Sequence, residues 1–281
     1  MKIIGVIAEY NPFHLGHLYQ IQRIKEMHPD SLIISIVSTN FTERGDVSIL
    51  NKWDKTRVCL ENGIDLVIEL PTLYATQSAD IFATYALKIL NYFKIDTLIF
   101  GTESDDIDML YKLANIQLNN DNYNKLVQEY LADGINYPTA MSKAIYKITG
   151  VNISTPNDLL GLSYVKEIIR NNYSIKPISI KRSNDYHGNT IDNNIISANL
   201  IRKLLLDNKD ISSYIPSITG KYIYNNLSIE KAFPFLKYKI INDINNLNTY
   251  LTVDEGIENR IIKYINELID DGVISKPKEQ N

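Results

Sequence analysis

The stretch that decides the fold runs from Met1 to His17 and reads Met1-Lys-Ile-Ile-Gly-Val-Ile-Ala8 followed by Glu9-Tyr-Asn-Pro-Phe-His-Leu-Gly-His17. Its first eight residues are mostly apolar and β-branched, which predicts a buried parallel strand. Apolar residues then return at helical spacing from Leu18 to Ile24. The motif at residues 9–17 therefore lies where a strand turns into a helix. In an open α/β sheet such a crevice binds ligands, and the helix start offers free N–H groups and a positive dipole end to an anion.

Two of the four histidines of the chain, His14 and His17, flank Gly16 at this turn. Glycine lets a phosphate approach the backbone closely, because it has no side chain. Imidazoles at such a place suit the charge that develops on the phosphates of a nucleotide during transfer. The alternative is that each histidine is a surface or core residue without chemistry. Their clustering in one four-residue window favours a nucleotide site.

Strand-like and helix-like segments alternate after this motif. The further predicted strands are 32–37, 65–70, 96–100 and 175–180. The predicted helices are 49–62, 78–93, 158–170 and 198–206, and a helical section is predicted over about 106–131 and 139–147. This rhythm predicts an α/β fold with a doubly wound, mostly parallel sheet, in which Pro177 indicates an edge or a bulge. From about Asp210 onward the pattern is helical and polar, with a disordered tail at 275–281. We therefore expect a main domain over 1–208 and an added helical C-terminal region over 209–281.

The composition is that of a globular protein, since 44% of the 281 residues are hydrophobic and 22% are charged. No stretch approaches the ~20 apolar residues of a membrane helix, and no signal or transit peptide is visible, so we expect a cytoplasmic protein without a membrane partner. The lone Cys59 excludes an intramolecular disulfide and a cysteine-rich zinc site, and its helix-like surroundings predict a buried thiol. A net charge of −4 gives no global support for nucleic-acid binding, so an RNA partner would need a local basic surface.

A second motif lies near the end of the predicted main domain, where Ile196-Ser197 opens a helix and Ile201-Arg202 follows. It would supply a hydroxyl, helix-start amides and a cation to the outer phosphates. Alone it is weak, because serine is a common helix N-cap. Together with the histidine motif ahead of it, it is similar to the two-part layout of the HxGH nucleotidyltransferase superfamily. That resemblance implies a Rossmann-like fold.

The resemblance extends to the tRNA(Met) cytidine acetate ligase family of bacteria and covers about residues 1–265. The ordered motifs that carry it are Glu9-Tyr-Asn-Pro-Phe-His-Leu-Gly-His17, Arg44-Gly45, Lys52-Trp53, Asp65-Leu-Val-Ile-Glu-Leu-Pro71, Gln77-Ser-Ala-Asp-Ile-Phe82, Phe100-Gly101-Thr-Glu103, Pro156-Asn157, Arg182-Ser-Asn-Asp-Tyr-His187 and Ile201-Arg202. It implies that residues 1–208 form a nucleotidyltransferase-like, ATP-binding catalytic domain.

The resemblance further implies an ATP-dependent ligase that acetylates the wobble cytidine of elongator tRNA(Met). Acetate would attack the α-phosphate of ATP, giving acetyl-adenylate and pyrophosphate. The exocyclic amine of cytidine would then take the acetyl group and release AMP. Magnesium is expected with ATP and would be held through the phosphates, so no dedicated metal site is needed. No DNA partner is implied.

Carried over to this chain, the resemblance assigns catalysis to His14 and His17, which would stabilise the α-phosphate during transfer. The implied ATP site comprises Gly101, Asn157, Arg182, Ser183, Ser197, Arg202 and the loop residues Ile7, Ala8, Glu9, Tyr10, Asn11, Pro12, Phe13, His14, Leu15, Gly16, His17, Leu18, Tyr19 and Gln20. Candidate contacts for RNA or for the acyl-adenylate are Arg44, Lys52 and Trp53.

Several of these positions also admit simpler roles. Asn157 could be only a helix cap, and Gly101 only a turn glycine. Arg182 could be a solvated surface cation, and Trp53 a buried aromatic residue that packs in the core. For Glu9 and Asn11 the alternative is that they brace the turn beside the histidines.

Two features depart from the family pattern. Position 199 is asparagine where the superfamily usually has threonine or serine, and the chain ends soon after Arg260, whereas relatives continue into a further basic helical segment. The second departure bears on tRNA binding more than on ATP chemistry. The alternative functions are therefore a nucleotidyltransferase that acts on a small phosphomonoester and an inactive nucleotide-binding relative that has lost its RNA-binding end.

Overall fold

The computed structural model describes residues 1–182, 195–223, 229–251, 253 and 256–270. Ser183, His187 and the tail at 275–281, for which predictions were made above, lie outside the described residues. The chain forms two compact units, Met1–Asn226 and Leu227–Asn281. Residues 209–226 are thus grouped with the first unit, and a functional boundary after residue 208 stays a prediction.

The first unit is built on a five-stranded sheet in which every neighbouring pair of strands is parallel. The strands are β1 Ile3–Ala8, β2 Leu32–Ser38, β3 Leu66–Leu70, β4 Thr97–Thr102 and β5 Lys176–Lys181, and their order is β3-β2-β1-β4-β5. The chain builds one half of the sheet outward from β1 and then returns to the other side of β1. The carboxyl ends of β1 and β4 therefore flank the topological switch point, where such sheets bind ligands.

Helices cover both faces of this sheet, because the strands carry apolar residues on both sides. Along β2, Ile34 and Ile36 belong to one hydrophobic core cluster, whereas Ile33 and Val37 belong to the other. The helices of the first unit are α1 Leu15–Met27, α2 Lys52–Glu61, α3 Thr72–Ala75, α4 Ala79–Tyr92, α5 Ile107–Asn119, α6 Asp121–Ala132, α7 Tyr137–Thr149, α8 Pro156–Arg170, α9 Ala198–Leu206 and α10 Ser217–Lys221. The predicted doubly wound, Rossmann-like α/β fold is confirmed.

Helix α2 is shorter than the predicted helix at 49–62. Its N-cap is Asn51, whose side-chain oxygen accepts hydrogen bonds from the N–H groups of Trp53 and Asp54, both at 3.0 Å. The residues just ahead of it, Ile49 and Leu50, are buried in the core as non-helical chain. The apolar pattern there reflects core packing and not the face of a helix.

The section predicted to be helical at 106–131 consists of two helices, because Asn120 interrupts it. Asn120 follows the last residue of α5, and its side chain accepts the N–H of Tyr123 at 3.0 Å to cap α6. Two other expectations are confirmed. Pro177 lies on β5, which is an edge strand of the sheet, and Cys59 is a buried free thiol.

The described part of the second unit is helical, as the pattern predicted. It consists of α11 Ile229–Asn242, a 3-10 turn at Leu247–Thr249 and α12 Ile257–Asp270. The carboxylate of Asp243 links α11 to the turn, since it pairs with the ammonium of Lys239 at 2.6 Å and accepts the hydroxyl of Tyr250. None of the helices in the described residues is both long and apolar enough to cross a membrane.

Candidate functional site

His14 and His17 together cap the start of helix α1. The backbone of His14 is extended, and its Nδ1 accepts a hydrogen bond from the N–H of Gly16 at 2.9 Å. In return, the N–H of His14 donates to Nδ1 of His17 at 3.2 Å. This reciprocal arrangement is a capping box built from two histidines, and it satisfies N–H groups that a helix start leaves unpaired. The two imidazoles are therefore fixed where the chain leaves β1.

These hydrogen bonds determine which nitrogen of each ring carries the proton. Because Nδ1 of each ring accepts a hydrogen bond, the proton of the neutral imidazole is on Nε2. Burial, and then the positive charge of Arg182, lower the pKa of His14 to about 3. Burial also lowers the pKa of His17 well below its ordinary value, with smaller contributions from His14, Arg182 and Lys55. The two rings, 3.8 Å apart between centroids, therefore present two neutral Nε2–H donors at pH 7.

Gly16 is required by the packing of the His14 ring. A Cβ at this position would lie 2.7 Å from Cε1 and 3.0 Å from Nδ1 of His14, and 3.2 Å from Cγ2 of Ile195. The sequence predicted that glycine here makes room for a phosphate. In the structure the imidazole ring of His14 lies next to this position, so any side chain at position 16 would displace that ring.

A pocket that is partly open to solvent adjoins the two histidines, and the space between its lining residues, including the open solvent at its mouth, is about 580 Å³. The lining comes from the start of α1, the carboxyl ends of β4 and β5, and the residues at the start of α9: His14, Gly16, His17, Tyr19, Gln20, Gly101, Ile180, Lys181, Arg182, Ile195, Ile196 and Ser197. Among these lining residues there are two cations and no carboxylate, so the described pocket suits an anion.

The pocket brings together many of the residues that the sequence predicted for the ATP site, namely His14, Gly16, His17, Tyr19, Gln20, Gly101, Arg182 and Ser197. At Gly101 a Cβ would lie 3.1 Å from Cγ of Arg182, so the glycine lets the arginine cross the end of β4. The site predicted from the sequence did not include Ile180, Lys181, Ile195 and Ile196, although Ile196 belongs to the second motif. The first pair ends the strand beside β4, and the second pair directly precedes Ser197, so strand order and the second motif could have indicated them.

The loop between β1 and α1 is held by other parts of the first unit. The carboxylate of Glu9 accepts the N–H of Glu43 at 2.6 Å, and the side-chain oxygen of Asn11 accepts the N–H of Ile49 at 2.9 Å. Both residues thus brace the turn, as the simpler alternative predicted. The other loop residues outside the pocket lining are Ile7, Ala8, Tyr10, Pro12, Phe13, Leu15 and Leu18, and contacts between them and ATP stay predictions.

Helix α9 contributes one pocket residue and one residue that holds the loop. Ser197 caps the helix, since its Oγ accepts the N–H three residues further on at 3.2 Å. The guanidinium of Arg202 donates to the carbonyl of Asn11 at 2.9 Å and lies 3.7 Å from the carboxylate of Asp46. Asn199, at the position that departs from the superfamily, has its side-chain oxygen 3.4 Å from the same guanidinium. Arg202 therefore fastens the loop, and its contact with phosphate stays a prediction.

Asn157 lies in the first turn of α8 and does not cap it. The helix begins at Pro156 and its N-cap is Thr155, so the predicted start at Asp158 with Asn157 as cap is wrong. The side-chain amide of Asn157 donates to the carboxylate of Glu103 at 2.5 Å, and the same carboxylate accepts the N–H of Asp158 at 3.2 Å. Asn157 is outside the pocket lining, and its contact with ATP stays a prediction.

The three candidate substrate residues lie outside the pocket lining. Trp53 is 68% exposed, so the alternative that it packs in the core is wrong. The ammonium of Lys52 lies 5.3 Å from the centroid of the indole and 3.0 Å from the carboxylate of Glu69. Arg44 is exposed in the loop that follows β2. An exposed aromatic ring beside a cation suits stacking with a nucleobase.

Comparison with known proteins places the chain in a family. The model of the family described as HIGH Nucleotidyl Transferase matches residues 1–270. A protein of Mesomycoplasma hyopneumoniae (strain J) named tRNA(Met) cytidine acetate ligase is 42% identical over 267 residues, which are 94% of this chain and 83% of the relative. A protein of the same name from Mycoplasma mobile is 40% identical over 97% of this chain and 91% of its own length.

Solved structures agree with the sequence relatives. The crystal structure of apo Thermotoga maritima TmcAL, form I, matches with a TM-score of 0.84 at 27% identity, over 95% of this chain and 68% of that one. Form II of the same protein, bound with alpha-thio ATP, matches with a TM-score of 0.82 at the same identity and coverage. A family model that spans nearly the whole chain, together with relatives at 40% identity or more, shows that the chain belongs to the tRNA(Met) cytidine acetate ligase family of HIGH nucleotidyl transferases.

Proposed function

We propose that this protein uses ATP to activate acetate as acetyl-adenylate and then transfers the acetyl group to the exocyclic amine of the wobble cytidine of elongator tRNA(Met). Two facts about relatives support the proposal: the name that they share and the alpha-thio ATP bound to the Thermotoga maritima protein. The observation on this chain that carries it is the pair of neutral Nε2–H donors beside an anion-suited pocket at the switch point.

The first step needs stabilisation of charge on the α-phosphate. A carboxylate oxygen of acetate attacks the α-phosphorus, the bond to the bridging oxygen of the β-phosphate breaks, and pyrophosphate leaves. Negative charge gathers on the oxygens around phosphorus, and fixed hydrogen-bond donors stabilise that charge without reorganising. His14 and His17 are such donors, because their Nδ1 atoms are already held by backbone N–H groups. Lys181 and Arg182 would balance the charge of the phosphates.

Magnesium would enter this site with the nucleotide. The described residues contain no group of three or more His, Cys, Asp or Glu side chains placed to hold a metal ion. Mg²⁺ commonly binds through substrate phosphates and keeps several waters. We therefore propose that phosphate oxygens hold it here, without a dedicated protein cage.

The second step needs a surface for the RNA. The amine of cytidine attacks the acyl carbon of acetyl-adenylate, the carbon–oxygen bond to AMP breaks, and the amine proton leaves with solvent or base. Trp53 is exposed and free to stack on a base, while Lys52 and Arg44 bring positive charge near it. We assign these three residues to tRNA contact. Since tRNA is the acceptor, we propose that the protein works in the cytoplasm.

The test is pyrophosphate release from ATP with and without acetate and tRNA, followed by mass spectrometry of the nucleosides. We expect acetate-dependent pyrophosphate and acetylcytidine in tRNA(Met). His17→Ala should abolish both, whereas the matched variant His28→Ala, which changes a histidine outside the pocket lining, should leave both unchanged. Acetate-dependent pyrophosphate without acetylcytidine would refute the transfer step. No acetate-dependent pyrophosphate would refute the proposal and favour a transferase of small phosphomonoesters or an inactive relative.

A further inference from the structure

Lys55, on helix α2, is a buried lysine for which the adenylation chemistry has no direct use. The residue is 2% exposed. Its ammonium donates to the carbonyl oxygens of Glu9 at 2.7 Å, Ser38 at 2.8 Å and Thr39 at 3.3 Å. An ammonium has three N–H donors, so each of them has a main-chain acceptor. Burying such a charge costs free energy unless it is well hydrogen-bonded, and these three carbonyl groups meet that condition.

The three carbonyl groups belong to the ends of two neighbouring strands. The pairing of β1 with β2 stops one residue before Glu9 and Ser38. Beyond that point the register of β1 with β2 does not continue, and the ammonium of Lys55 joins the two strand ends through hydrogen bonds. Glu9 is the first residue of the loop that ends at His14. The ammonium therefore sets the position at which this loop leaves the sheet.

Lys55 also acts on the histidine pair through its charge. Its positive charge is one of the causes that lower the pKa of His17. A neutral His17 ring is what allows Nδ1 to accept the N–H of His14 and leaves the proton on Nε2. The ammonium thus adds to the effect of burial in favouring the neutral ring of His17, whose Nδ1 accepts a hydrogen bond while its Nε2 donates.

We propose that Lys55 is a positioning residue for the histidine pair, acting through the carbonyl of Glu9 and through its charge on His17. It touches neither ATP nor acetate in this role. The inference rests on the proposed adenylation reaction for its kinetic readout, whereas the state of the rings can be measured without turnover. A merely structural lysine would change neither the turnover of the folded protein nor the tautomer of His17.

The experiment compares Lys55→Met with Lys166→Met. Lys166 is the matched control, because it is 5% exposed and pairs with Asp80 at 2.7 Å between α8 and α4, outside the pocket lining. For each variant we would measure unfolding by urea, kcat and KM for acetate-dependent pyrophosphate release, and long-range ¹H–¹⁵N spectra of the histidine rings. The spectra are simple, since the chain has four histidines.

In Lys55→Met we expect kcat to fall about tenfold or more, since small misplacements of catalytic groups cost rate steeply. The ring nitrogens of His17 should leave the pure Nε2–H pattern. Lys166→Met should lose stability but keep the kcat and the ring spectrum of the unchanged protein. A folded Lys55→Met protein with unchanged kcat and an unchanged His17 spectrum would overturn the inference.

If Lys55→Met does not fold, the inference can be tested on the unchanged protein, by following the ring signals of His17 as a function of pH. Burial lowers the pKa of Lys55 to about 8, so raising the pH from about 7 to about 10 removes its charge. The groups that face the ammonium are Glu9, Cys59 and His17, and burial raises the pKa of Cys59 to about 12. A shift of the His17 signals with a midpoint near 8 supports the inference, and constant signals overturn it. Absence of acetate-dependent pyrophosphate in the unchanged protein refutes the proposed function alone, because the spectra still decide the role of Lys55.

Discussion

Replacing Gly16 by alanine should disable the histidine pair without removing any polar group. The new Cβ would lie 2.7 Å from Cε1 of His14, about 0.7 Å short of ordinary contact, so the ring must shift by about that distance. The shift breaks the 2.9 Å hydrogen bond from the N–H of Gly16 and turns the Nε2–H donor away from its target. A misplacement of about 1 Å lowers rates roughly 10²-fold, so kcat/KM for pyrophosphate release should fall about 10²-fold, or about 2.7 kcal/mol of transition-state free energy.

The assay separates this effect from general damage. Acetate-dependent pyrophosphate release gives kcat and KM, calorimetry gives the affinity for ATP, and urea unfolding gives the free energy of unfolding, which overpacking should lower by about 1–3 kcal/mol. The control is Gly220→Ala on α10, where the new Cβ would meet Cδ1 of Ile215 at an ordinary 3.6 Å. It should leave activity unchanged. If folded Gly16→Ala keeps kcat/KM within about twofold of the unchanged protein, the ring position does not matter and the reasoning is refuted.

Three further predictions follow from burial and exposure. The pKa of His14 is lowered to about 3 and that of His17 is also lowered, so the unfolded chain binds more protons than the folded protein below about pH 6.5. The free energy of unfolding, measured in urea, should therefore fall as the pH drops from about 6.5 towards about 4. A free energy of unfolding that does not change over this pH range would contradict the neutral pair. Trp53→Ala should raise KM for tRNA and leave KM for ATP unchanged. The control variant Tyr92→Ala changes another exposed aromatic residue, 82% exposed, and should change neither KM. Equal effects of the two variants would exclude a tRNA contact at Trp53. Cys59 is buried and its pKa is raised to about 12, so a thiol reagent should label it in urea but not in the native protein.

The predicted and observed structures agree best where local signals are strong. Helix α9 was predicted over 198–206 and is observed from Ala198 to Leu206. The bounds agree because the two signals, the Ser197 cap and the apolar spacing, both lie in neighbouring residues of the sequence. Helix α2 was predicted to begin too early, since the apolar Ile49 and Leu50 look the same in a core loop as in a helix. Local patterns thus give the kind of element more reliably than its ends.

The chemistry of the site depended on contacts that no local pattern shows. A lysine on a helix at the surface of a sheet is usually solvated, yet Lys55 is buried with its ammonium on carbonyls as far as 46 residues away. Arg202 reads as a phosphate ligand in sequence, but its guanidinium binds the carbonyl of Asn11, 191 residues earlier. Trp53, an aromatic residue expected equally in the core, is exposed in the first turn of α2, next to the Asn51 cap.

By itself, the sequence determined the alternation of strands and helices, the site at the end of β1 and the pair His14 and His17, because hydrophobic period, helix caps and motif spacing are properties of neighbouring residues. The tertiary structure alone decided that both rings are neutral Nε2–H donors, that the end of β5 completes the pocket, and that Arg202 and Lys55 hold the loop. Protonation states, burial and long-range hydrogen bonds depend on contacts between segments that are far apart in the sequence. The fold of the sheet determines which of these segments are in contact.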